Sequence, residues 1–319
     1  VRAWSLALVV AAWLAVPGTR AQDPAPHRYL FSYFTGNGED GLHLASSADG
    51  LEWTALKGGA SFLKSGVGSK LMRDPSIVLG PDNHFHLVWT TGWWDKGIGV
   101  AHSSDLVTWS APREIPVMAH EPAALNAWAP DLFYDRVSKR YVIVWASTIP
   151  GRFAATDESG DVTKEGRLNH RLYYVTTSDF TSFTPAKLFF DDGFNVIDGT
   201  LVETAPGRIA LVAKDETLRP AARKHLRVAW GERADGPFGH ASPAISPDWV
   251  EGPTVLRVDE AWLVYFDEYT RKRYGALRSP DFVNWTNVSD RVRFPPDARH
   301  GTAFTAPRAV IERLRALGR

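Results

Sequence analysis

Arg73-Asp74-Pro75-Ser76-Ile77-Val78-Leu79 runs into Gly80-Pro81-Asp82-Asn83, and this stretch decides how the chain is read. Its apolar, β-branched half has the composition of a short buried strand, and the glycine-proline-aspartate cluster ends it. Pro75 has no N–H for a ladder, so it is expected at the first residue of that strand, with Asp74 just outside the sheet. The pattern recurs. Trp128-Ala129-Pro130-Asp131 precedes Leu132-Phe133-Tyr134, and Val196-Ile197-Asp198-Gly199 precedes Thr200-Leu201-Val202. Val250-Glu251-Gly252-Pro253 precedes Thr254-Val255-Leu256, and Arg299-His300-Gly301 precedes Thr302-Ala303-Phe304. Five strands thus open at an ionisable residue: Asp74, Asp131, Asp198, Glu251 and His300.

A second repeat interleaves with the first. Ser47-Ala48-Asp49-Gly50-Leu51-Glu52-Trp53 resembles Ser104-Asp105-Leu106-Val107-Thr108-Trp109, Ser178-Asp179-Phe180-Thr181-Ser182-Phe183 and Ser279-Pro280-Asp281-Phe282-Val283-Asn284-Trp285. Arg233-Ala234-Asp235-Gly236-Pro237-Phe238 is a weaker copy. Each has the chemistry of a tight turn that closes on an aromatic ring between two strands. Four-stranded units of this kind, repeated along the chain, are the signature of propeller blades. The fifth opening strand, at Thr302, has no successors, and its missing partners are Tyr29 to Phe34 and Leu42 to Ser46. The expected fold is therefore all-β, a five-bladed β-propeller over residues 22–308. Its last blade joins N-terminal strands to a C-terminal inner strand, which leaves no open sheet edge around the ring. Residues 151–169 form a polar insertion expected to shape a binding site, and residues 309–319 read as a short outer helix.

Composition narrows the function. The 319 residues carry 36 basic and 36 acidic side chains, and this balance argues against a nucleic-acid partner. Cysteine is absent, which excludes disulfides, thiol catalysis and thiolate metal sites. Arg2, the apolar run Leu6 to Val16 and the small-residue site Thr19-Arg20-Ala21 match a secretory signal over residues 1–21, with an uncleaved anchor as the alternative. A secreted or periplasmic monomer, free of the membrane once that signal is cleaved, is the expectation. Thirteen Trp and sixteen Phe suit strands and a core, and some of them offer flat faces for a sugar ring.

In a propeller the inner strands stand side by side around an axis, so the ionisable residues at their openings converge. For a single Asp-Pro, holding a turn together is the simpler account. Several carboxylates in one small volume cannot ionise independently, and paired carboxyls of unlike pKa are the apparatus of glycosidic bond cleavage. The ordered set Arg73-Asp74-Pro75-Ser76-Ile77, Trp128-Ala129-Pro130-Asp131, Ile197-Asp198-Gly199-Thr200 and Glu251-Gly252-Pro253-Thr254 resembles glycoside hydrolase family 43 from about Tyr29 to Phe304. The resemblance implies an inverting glycosidase acting on terminal α-L-arabinofuranosyl or β-D-xylosyl units of plant-type oligo- or polysaccharides. It implies Asp74 as general base, Glu251 as general acid, and Asp198 as the residue that raises the acid's pKa and orients it. Asp198-Gly199 departs from the family's more usual Asp-Pro. No cofactor is required, but the resemblance places His300 on the axis facing a water or a structural Ca²⁺. Arg73, Trp93, Trp94, Trp128, Asp131, Phe194 and Arg299 are the expected substrate-binding residues, Asp131 alternatively holding Arg73. A β-D-galactofuranosidase on the same scaffold and a secreted, non-catalytic carbohydrate-binding propeller are the alternatives. A fructan-cleaving relative falls behind, because Phe31-Ser32-Tyr33-Phe34 lacks the Asp-Pro-Asn nucleophile motif.

Overall fold

The computed structural model describes Val1 and residues 28–317, so the expected signal segment lies, beyond Val1, outside the described residues. Five antiparallel sheets surround an axis. The first blade is Arg73–Leu79, Phe85–Thr90, Ile98–Ser103 and Arg113–Ile115, from axis to rim. The second is Trp128–Asp135, Arg140–Thr148, His170–Thr177 and Lys187–Phe190. The third has Val196–Ala205, Arg208–Asp215 and His225–Gly231, and the fourth Glu251–Val258, Ala261–Glu268, Arg273–Ser279 and Thr286–Asn287. The fifth is composite: Arg299–Thr305 lies innermost and pairs with Tyr29–Phe34, followed by His43–Ser47 and Thr54–Ala55.

The aspartate turns repeat for a local reason. In four copies one carboxylate oxygen (Asp49, Asp105, Asp179, Asp281) accepts from two successive backbone N–H groups, two and three residues on. These side chains replace a backbone turn. Asp235 instead pairs with Arg233, and the rim of the third blade is an irregular run held by Gly239, Ser242 and Ile245 N–H groups. The weak copy in the sequence is the blade without a regular outer strand.

Most aromatics fill the seams between blades. Phe31, Trp53, Tyr265, Tyr274 and Phe294 interlock between the fourth and fifth, with Tyr274 and Phe294 ring centroids 4.2 Å apart. Such pairs add about 0.5–1.5 kcal/mol beyond their buried area. The C-terminal helix, Arg308–Ala316, buries Ile311 and Leu314 on the outside of the ring.

All five inner strands carry one extra residue at the same height. From Arg73 to Ser76 three steps oppose two from Thr90 to Val88, and the same offset occurs at 128–131, 197–200, 251–254 and 299–302. This β-bulge corrects the expected place of Pro75. The strand begins at Arg73, and Pro75 lies inside it at an unpaired position, where its missing N–H costs no ladder bond. Pro130 and Pro253 occupy the same slot, and Gly199 and Gly301 fill it in the other two strands. The residue before the slot takes a left-handed backbone at Asp74 (φ 52°), Ala129 (49°), Asp198 (52°) and Gly252 (60°). Non-glycine residues rarely accept that conformation, and here the bulge turns their side chains toward the axis.

Candidate active site

The bulge sorts the five ionisable residues into three tiers rather than one. Asp74, Asp198 and His300 share the bulge position; Glu251 stands one residue nearer the mouth, level with Arg73, Trp128 and Arg299. Asp131 lies two residues deeper, level with Ser76, Thr200, Thr254 and Thr302. A cavity of about 500 Å³ opens on the upper two tiers and is lined by Arg73, Asp74, Trp93, Trp94, Trp128, Asp198, Glu251, Arg299 and His300. A second void of about 10 Å³ continues beneath it between Asp74, Asp131, Asp198 and His300. That is room for about one water.

On one side of the cavity, Asp74 is held from three directions. Thr90 Oγ1 donates to Oδ2 at 2.8 Å, His300 Nδ1 lies 3.3 Å from Oδ1, and Arg73 adds its charge. Burial alone would raise this carboxyl, but the His300 bond and charge, then Arg73 and Thr90, hold it down to about 2. His300 is the mirror case. Burial lowers its basicity, and Asp198, Asp74 and Glu251 together raise it to about 9. Asp198 is driven up to about 6 by burial, with Glu251 and Asp74 adding to the rise against His300 and Lys214. Its Oδ2 accepts the Gly252 N–H at 2.9 Å, which fixes the peptide beside Glu251.

On the other side, Glu251 meets two cations. Lys214 Nζ is 3.3 Å from Oε2, and Arg299 Nη2 is 3.0 Å from Oε1. Lys214 is 2% exposed and also pairs with Glu216 at 2.7 Å, while Arg299 Nε reaches Asp267 at 2.6 Å. Burial, then the nearby Glu251, raises Asp267 to about 6 against Arg299.

The aromatic wall is built from Trp93, Trp94 and Trp128. Trp128 Nε1 donates to the Trp93 carbonyl at 2.6 Å, and its ring meets both neighbours within 6 Å, at 5.6 Å and 5.9 Å. Trp93 is 44% exposed. Arg73 stacks on Phe34 and Trp93 and donates to Asn37. The polar insertion folds into a small hairpin, Val162–Thr163 with Gly166–Arg167, and Asp161, Thr163 and Leu168 line the cavity.

Two expectations need correction. Asp131 does not hold Arg73: its oxygens accept from Ser76 Oγ and Leu201 N–H at 3.1 Å each, so it ties three inner strands together below the cavity. The extra bulge residue is what moves it down. Phe194 is 6% exposed, packs on Phe190 under the Arg227 guanidinium, and lies outside the main cavity. His300 Nδ1 faces Asp74 Oδ1 at 3.3 Å on the axis of the ring. Among the described residues no three His, Asp or Glu side chains are grouped to hold a metal.

Thr90 and Asp267 are site residues that no motif exposes, whereas Lys214 and Glu216 come from the charged cluster Lys214-Asp215-Glu216 at a strand end. Thr90, Lys214 and Asp267 sit on second strands, directly opposite Arg73, Ile197 and Glu251 in the ladders.

A family model described as a probable glycosyl hydrolase domain, related to family 43, matches residues 25–310. The chain belongs to the family-43-related glycosyl hydrolases. Solved structures of similar fold include the α-L-arabinofuranosidase of Lactobacillus brevis (TM-score 0.52, 16% identity, 68% of this chain and 72% of that one). The native arabinanase Arb43A of Bacillus subtilis matches over 76% of this chain and 82% of its own, at TM-score 0.51 and 15% identity. An exo-β-1,3-galactanase of Phanerochaete chrysosporium, bound to β-1,3-galactotriose, matches over 72% and 52%, at TM-score 0.53 and 10% identity. At such identities the likeness is one of fold. No curated protein sequence matches the chain.

Proposed function

We propose that this family-43-related hydrolase cleaves terminal α-L-arabinofuranosyl or β-D-xylosyl units with inversion, using Asp74 as base, Glu251 as acid and Asp198 as the group that orients and tunes the acid. The observation that carries the reading is the split between the carboxyls of one cavity: Asp74 is held down to about 2 while Asp198 is pushed up to about 6. A group ionised at every working pH suits the removal of a proton from an attacking water. Glu251, one residue nearer the mouth than Asp74 and Asp198, supports delivery of a proton to the leaving group. Asp198, bonded to the Gly252 N–H, keeps the Glu251 backbone in place for that transfer. Trp93, Trp94 and Trp128 supply the faces on which a sugar ring stacks. Inversion further asks for base and acid carboxyls roughly 6.5–9.5 Å apart, leaving space for the water.

The test is hydrolysis of aryl α-L-arabinofuranosides and aryl β-D-xylosides by wild type and Glu251→Gln, with the first-formed anomer read by NMR. The expected result is an inverted product and a variant about 10²–10⁴-fold slower on poor leaving groups but much less impaired on activated ones. Retention of configuration, or an equal loss on both kinds of leaving group, overturns the assignment. Sugar binding without turnover of any glycoside, galactofuranosides included, would favour a binding propeller.

A further inference from the structure

Glu251 is the central anion of a chain of alternating charges: Lys224, Glu216, Lys214, Glu251, Arg299, Asp267. Both cations that touch it lie nearer to their other partner. Lys214 Nζ is 2.7 Å from Glu216 and 3.3 Å from Glu251; Arg299 is 2.6 Å from Asp267 and 3.0 Å from Glu251. Lys214 thus donates a hydrogen bond to Glu251 and forms a closer ion pair with Glu216. A buried ion stripped of its partner is costly. An acid that gains and loses a proton in each cycle would therefore strand Lys214 and Arg299 every time it became neutral, unless each cation had a second anion.

We propose that Glu216 and Asp267 are reserve counter-ions, positioning residues that keep Lys214 and Arg299 paired while Glu251 is protonated. The inference rests on the reading of Glu251 as general acid. When Glu251 takes up a proton, Lys214 stays with Glu216 and Arg299 with Asp267. When Glu251 delivers that proton to the leaving oxygen, its new negative charge meets two cations already in place and no side chain has to travel. Glu216 is itself shared with Lys224, and both lysines hold its carboxyl below the usual range against the effect of burial. It therefore remains an anion throughout. The other ionisable groups facing Glu251 are Asp198 from the third blade, Asp267, Tyr269 and Tyr274 from the fourth, and His300 from the fifth, with Asp74 behind His300.

The experiment is the pH dependence of kcat/KM for full-length wild type, Glu216→Gln, Asp267→Asn and Lys214→Met, each on one poor and one activated aryl leaving group. Loss of either reserve anion leaves a cation with Glu251 as its sole partner, which favours the ionised acid. The alkaline limb should then move to lower pH by roughly one unit in Glu216→Gln and in Asp267→Asn, on the poor leaving group only. Lys214→Met removes a cation and should move the same limb the other way. A purely structural role would lower both substrates equally and leave the limb in place. Limbs that stay put in all three variants, while Glu251→Gln keeps its leaving-group split, overturn the counter-ion proposal alone. Loss of that split in Glu251→Gln overturns the acid assignment and the proposal with it.

Discussion

The two sides of the cavity treat a carboxylate in opposite ways. Asp74 has one short bond from Thr90, the His300 ring at 3.3 Å and a left-handed backbone that fixes its direction. Glu251 has two cations, and neither belongs to it. The difference suits the roles proposed for Asp74 as base and Glu251 as acid. A base that stays ionised between turnovers gains from dedicated partners, whereas an acid that alternates between charge states gains from partners with somewhere else to go. Electrostatic crowding is thus resolved by allocation, with each cation assigned before the chemistry begins.

The largest effect that would break this contrast is on the base. Asp74→Asn should lower kcat by about 10²–10⁴-fold on activated and poor leaving groups alike, unlike Glu251→Gln, with far-UV circular dichroism unchanged. A leaving-group-dependent loss would reverse the two roles. Next is His300→Gln, which removes the cation holding Asp74 near 2. The acid limb of the kcat/KM profile should rise in pH, and the variant's stability should depend less on pH. The sign follows from linkage: His300 has a folded value of about 9 against an ordinary 6.5, so its stabilisation is full below pH 6.5 and is lost as pH climbs through 9. Denaturant titrations at pH 6 and 9.5 should show a smaller drop for the variant than for wild type. The smallest effect belongs to Thr90→Val, which deletes a hydrogen bond to Asp74 and one from Ala129 N–H. At about 1 kcal/mol per bond, kcat/KM should fall several-fold to tens-fold, with KM little changed.

The ring was legible because both of its repeats are local. An aspartate turn closing on an aromatic and an ionisable residue opening an apolar run are written in nearby residues, so the turn copies and five openings are counted from the chain alone. Closure of the fifth blade followed from the missing partners of Thr302. The cavity was legible where a residue stands on an inner strand: Arg73, Asp74, Trp128, Asp198, Glu251, Arg299 and His300 all line it. The loop tryptophans Trp93 and Trp94 do so as well. What stayed hidden depends on register. The bulge adds one residue to each inner strand and so decides that Asp131 lies below the cavity, that Thr90 and Lys214 line it from second strands, and that Asp267 stands opposite Glu251. Phe194 was misplaced for a different reason: an aromatic beside a glycine reads the same whether its ring faces a cavity or a neighbouring blade.

The composite fifth blade has a consequence for biosynthesis. Arg299 and His300, which touch Glu251 and Asp74, belong to the last of the five inner strands in chain order, and that strand pairs with Tyr29–Phe34, the first of the described strands. A nascent chain with four finished blades still lacks the imidazolium beside Asp74 and the guanidinium beside Glu251. Hydrolytic competence would therefore arrive in one step, when the two ends of the ring meet, and incomplete chains would carry the carboxylates without the groups that set their charge.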